Sequence, residues 1–133
     1  MDVLRRLSAL ALGLSIACAP EGDDPEVVPP TFTELRERVL TPSCVFAACH
    51  KGASPAGGLG LEGDAHAALV DAPSTALPDR TLVVPGVPED SYLLEKLESP
   101  MPGAGDPMPP TASLSEERLD LVRSWIEAGA RED

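Results

Sequence analysis

Apolar positions along the chain fall into periodic blocks separated by stretches rich in proline and glycine. Phe32, Leu35 and Val39 recur at helical spacing. Thr31 stands three residues before Glu34, the spacing of a capping box that opens a helix, and Pro42 is expected to end it. The stretch from Gly63 to Val70 reads as a short helix with Asp64 as its N-cap. Tyr92, Leu93, Leu94 and Leu97 make the buried stripe of a helix starting at about Pro88, since proline is tolerated in a first turn. A last helix carries Leu119, Val122, Trp125 and Ile126 on one face. Ser113 or Ser115 is its cap, Glu116 and Glu117 suit the positive end of its dipole, and Gly129 stops it.

Ahead of these blocks lies a different pattern. Arg5 and Arg6 precede an apolar run from Leu7 to Ala17 and then a cysteine, the layout of a secretory signal peptide over residues 1–17. The run is too short for a comfortable membrane span, which takes roughly 20 residues. Ser15-Ile-Ala-Cys18 resembles a bacterial lipobox, which would make Cys18 the lipidated first residue of the mature chain; Ala17-Cys18-Ala19 also fits ordinary signal peptidase cleavage. Residues 18–30 are acidic, proline-rich and aperiodic, and read as the anchor cysteine plus a disordered tether. The folded domain is expected over 31–133, exported and lipid-anchored toward the periplasm or cell exterior.

Composition sharpens the problem that this domain must solve. Aromatics make up 3% of the chain, while 15 prolines and 11 glycines restrict regular structure, so a core of this size needs a staple or a bulky bound group. The formal net charge is −12; without the leader's Asp2, Arg5 and Arg6, 21 acidic residues face 8 basic ones, a net −13. Nucleic acid and anionic membrane surfaces are poor partners for that sign, and proteins with basic docking surfaces are the complement.

The chemistry concentrates in Pro42-Ser-Cys44-Val-Phe-Ala-Ala-Cys49-His50. The spacing C-x4-C-H is two residues longer than the C-x-x-C-H of c-type haem attachment. Two thiols can add to the two vinyl groups of haem, and a histidine beside the second thiol is placed to become the proximal ligand of the iron. A covalently held ring system would also supply the apolar bulk that the composition lacks. Met108 lies between Pro107 and Pro109-Pro110, so its thioether is presented by a stiff loop as the distal ligand. Met101, in the same loop, is the lesser candidate, and His66 is a sixth ligand only if Met108 is not.

Other readings stay open at this stage. Cys44 and Cys49 suit a disulfide in an exported, haem-free, lipid-anchored binding module. A zinc site would want a fourth ligand with only His66 to spare, and no C-x-x-C on a βαβ frame or nucleophile elbow is present.

Cys44-x4-Cys49-His50, Gly58-Leu59-Gly60-Leu61, Val84-Pro85-Gly86 with Ser91-Tyr92-Leu93, Met108-Pro109-Pro110 and Trp125-Ile126-Glu127-Ala128-Gly129-Ala130 resemble the exported bacterial cytochrome c-like domains. The resemblance spans about Phe32 to Ala130. It implies an all-α fold, small and wrapped around one haem, with long Pro/Gly-rich loops. It also implies one covalent haem c on Cys44 and Cys49, iron held by His50 and Met108, and a carrier of single electrons between redox proteins rather than an enzyme.

Overall fold

A computed structural model describes residues 28–133. The expected leader, the Cys18 anchor and residues 19–27 of the tether lie outside the described residues; the last three tether residues, 28–30, are irregular, with Val28 exposed.

Helix α1 opens with an α-helical turn, Phe32–Leu35, widens into a π-helical stretch, Arg36–Leu40, and closes with a turn at Thr41–Ser43. Thr31 is its N-cap, the hydroxyl accepting from the Glu34 amide at 3.1 Å. A second acceptor comes from far along the chain. The Asp133 carboxylate takes the amides of Phe32 at 2.6 Å and Thr33 at 3.1 Å, so the free N–H groups of the first turn are satisfied by the far end of the domain.

Pro42 does not end the helix where expected; it sits inside the last turn, and the helix closes at Ser43. The physical reason is the π stretch. A proline ring clashes with the carbonyl four residues before it, and the widened register, with the Thr41 amide bonding Arg36 rather than residue 37, precedes that point.

Helix α2, Ala65–Leu69, is capped by the Asp64 carboxylate on the Ala67 amide at 3.0 Å, as its sequence predicts. The chain then runs irregularly to a single 3-10 turn at Pro88–Asp90. Backbone contacts tie this long segment to itself, with isolated bridges between Val70 and Val83 and between Pro73 and Thr81.

Helix α3 spans Tyr92–Glu98, so it begins four residues later than the expected Pro88. Ser91 separates the two turns. Its buried hydroxyl accepts from the Val84 amide and donates to the Val87 carbonyl, each at 2.9 Å, which pins the Val84–Val87 turn instead of capping the helix. The caps come from the loop itself, since the amides of Tyr92 and Leu93 bond the carbonyls of Thr81 and Leu82.

Helix α4, Glu116–Glu127, follows Ser115 as N-cap. It ends in a Schellman arrangement in which the amides of Gly129 and Ala130 reach back to Ile126 and Trp125. Gly129 takes φ +99° there, which a side chain would oppose.

One apolar core joins α1, α2, α3 and α4, with α4 packed on both α1 and α3. Trp125 is fully buried and lies on α1, its ring 5.5 Å from that of Phe32, while its indole N–H donates to the Arg131 carbonyl. Among the described residues the regular elements are helices, in keeping with the expected all-α class.

Asp133 is held below the ordinary aspartate range by its hydrogen bonds from Thr33 and Phe32. A carboxyl depressed by folding stabilises the fold above its unfolded pKa of about 3.9, and that stability is lost as pH falls through the lower folded value. Asp133→Asn is therefore expected to melt below the wild type at pH 7, with the gap closing under strongly acidic conditions. A gap that stays constant from pH 7 to pH 3 would take the carboxylate out of the α1 cap.

Candidate haem site

The loop after α1 explains how a widened cysteine spacing still assembles a compact site. The Cys44 carbonyl accepts from the Phe46 amide at 3.1 Å and from the His50 amide at 3.2 Å. The chain is thus folded back on itself. The four intervening residues are taken up in a turn whose Phe46 ring projects into solvent, 51% exposed, while Cys44, Cys49 and His50 stay half-buried.

His50 is oriented by two bonds from one segment. Its Nδ1 lies 2.9 Å from the Leu59 carbonyl, and its own carbonyl accepts from the Leu61 amide at 2.9 Å. A carbonyl can only accept, so Nδ1 carries the proton in the neutral ring and Nε2 keeps its lone pair. The turn that brings Leu59 to this position passes through Gly57 and Gly58 at φ +60° and +73°, values that favour glycine. The Gly-Gly-Leu-Gly-Leu stretch therefore serves the histidine.

Cys44, His50 and Met108 all line one cavity of about 360 Å³ between α1, α3 and the loops. Its volume falls within the roughly 300–1,000 Å³ of cofactor and ligand sites. Leu35, Val39, Leu59, Leu82, Leu93 and Leu97 are among the apolar residues of its wall. Exposed Gly57 and Thr75 mark where it meets solvent. Cys49 does not line it, although it is close enough to Cys44 to act on its charge.

Burial pushes the Cys44 thiol up to about 11, with the neighbouring Cys49 adding to the effect. At neutral pH this thiol is therefore held protonated. Both cysteines are free. Among the described residues no group of three or more His, Cys, Asp or Glu side chains is arranged to hold a metal ion, so the zinc alternative finds no ligand set.

The two methionines part company. Met108 is half-buried against the core and faces the cavity, whereas Met101 is 68% exposed. A backbone bond to α3 anchors Met108 in addition to its flanking prolines. Pro100 lies four residues after Lys96 in α3 and has no N–H, so the Lys96 carbonyl lacks its helical donor. The Met108 amide takes that place at 2.7 Å.

His66 is elsewhere. Its ring packs edge-on against Phe32 at 5.0 Å between centroids, and its Nε2 bonds the Ala130 carbonyl at 2.8 Å. It does not line the cavity and is no rival to Met108. Trp125 is likewise absent from the cavity wall and packs on α1 instead. What the sequence did not flag is Lys96, and for Tyr92 it showed only a place in a buried stripe; both are polar groups lining an apolar cavity, and their bonds depend on the path of the loop that follows α3.

A scan against protein-family models and searches of curated proteins and of solved structures return no match for this chain.

Proposed function

We propose that the protein is a monohaem c-type cytochrome domain that carries single electrons between exported redox proteins. The observation that supports this reading most strongly is the convergence of Cys44, His50 and Met108 on one apolar cavity, with His50 Nε2 left as a free ligand. The residues fit the group. Apolar walls suit a macrocycle, an imidazole and a thioether are its common axial pair, and a thiol stands at the cavity edge. His50 and Met108 would hold the iron, and Cys44 with Cys49 would hold the ring.

When bound, the haem supplies a one-electron couple whose potential a thioether ligand raises. The chain's own part is to fix the imidazole through Leu59, present the thioether through Lys96, and wall the site with leucines that keep water from it. Electron carriage rather than substrate turnover fits the remaining polar groups. Tyr92 and Lys96 are bonded to backbone carbonyls and the His50 Nδ1 is committed to Leu59, which leaves the His50 Nε2 lone pair, the atom that would take the iron, as the basic group facing the cavity. Export and a Cys18 lipid anchor facing the periplasm or cell exterior complete the proposal, from the leader pattern.

The absorption spectrum of the chain, exported in a host with haem-attachment machinery, tests the reading directly. A haem band that survives acid-acetone extraction is the expected result; a colourless protein with a Cys44–Cys49 disulfide by mass spectrometry would overturn it. In the haem-loaded protein, Met108→Ala is expected to lower the reduction potential and admit carbon monoxide at the sixth position. An unchanged potential with no carbon monoxide binding would remove Met108 as the distal ligand. The acidic balance leads to a third expectation, that electron transfer to a basic partner slows as ionic strength rises. Rates that stay flat from low to high salt would exclude charge-steered docking.

A further inference from the structure

Between Ser99 and Pro110 the chain has no regular structure, yet it delivers Met108 to the cavity. What holds it there comes from a single face of α3. Tyr92, Glu95 and Lys96 stand at i, i+3 and i+4, so their side chains are neighbours on the helix surface. The Tyr92 hydroxyl donates to the Ala104 carbonyl at 2.6 Å. The Lys96 ammonium donates to the same carbonyl at 3.1 Å and also to that of Asp106. The Glu95 carboxylate accepts from the Met101 amide at 3.2 Å, while its other oxygen is paired with Arg80. Together with the Met108 amide on the Lys96 carbonyl, these bonds fasten the loop at four residues: 101, 104, 106 and 108.

We propose that Tyr92, Glu95 and Lys96 are the positioning residues of the distal thioether, a latch that holds Met108 over the cavity. The proposal rests on the cytochrome reading for the role of Met108 but not for the latch itself. Lys96 carries the largest share. Its backbone and its side chain both hold the loop, and its ammonium gives charge-assisted bonds to two loop carbonyls. The buried Ala104 carbonyl is the pivot, because it receives two donors at once. Even a methyl at Gly105 would stand 3.2 Å from the ammonium, so the loop and the side chain are in close register. Met101, though bonded through its amide, contributes no side chain to this contact surface.

Hydrogen exchange over residues 101–108, measured on haem-free and haem-loaded protein, tests the latch against Lys96→Met, Tyr92→Phe and the exposed-site control Met101→Ala. Loss of a charge-assisted bond is expected to speed exchange of this segment about tenfold or more in Lys96→Met, and less in Tyr92→Phe, with Met101→Ala unchanged. In the haem-loaded form, Lys96→Met is also expected to keep its covalent haem while admitting carbon monoxide, a change that general destabilisation would not produce alone. If Lys96→Met does not fold, Tyr92→Phe, which removes one hydroxyl and keeps the ring, decides the matter. Unaltered exchange in both variants, with the sixth position still closed, would overturn the latch. A wild-type protein that exports colourless would defeat the cytochrome reading, and the latch would then stand or fall on the exchange of the haem-free chain.

Discussion

An apolar cavity in a chain this poor in aromatics is the constraint around which the rest is arranged. Leu35, Val39 and Leu97, buried in the core, and Leu59, Leu82 and Leu93, packed against it, also line this space. A small domain has little burial to spare, and walls of this kind gain dispersion and lose contact with water only when something apolar fills the space. Trp125, Phe32 and His66 pack against one another away from the cavity lining. The aromatic cluster and the cavity thus share one core, and the proposed site lies on the cavity side.

Missing backbone donors explain the placement of both proposed axial groups. Pro100 withholds an N–H from Lys96, and the vacant carbonyl is taken by Met108. At the other side, Gly57 and Gly58 turn the chain so that the Leu59 carbonyl meets the imidazole of His50. In each case the protein positions a side chain by satisfying a backbone group. Such bonds are short-range and directional, which suits a site whose ligands must be held from irregular segments rather than from long helices.

Charge is organised apart from this centre. Ion pairs such as Arg38 with Glu34 and Glu117, and Arg123 with Glu98 and Asp120, lie on exposed surface and contribute little each to stability. The acid excess remains, and its long-range field acts on association rather than on the fold.

The helices with clear apolar periodicity, their caps at Thr31 and Asp64 and the stop at Gly129 were legible in the sequence, because these follow from spacing and from the chemistry of single residues. It misplaced the start of α3, where Ser91 was bound to a turn rather than to a helix end, and the end of α1, where a π stretch carried the chain past Pro42. That Cys44, His50 and Met108 share a cavity, that His66 packs with the aromatic rings, and that Tyr92, Glu95 and Lys96 bind the loop ahead emerge only in the folded chain. The physical reason is range: caps and stripes depend on residues three or four apart, whereas these contacts join segments up to 64 residues apart through carbonyls that any sequence would offer.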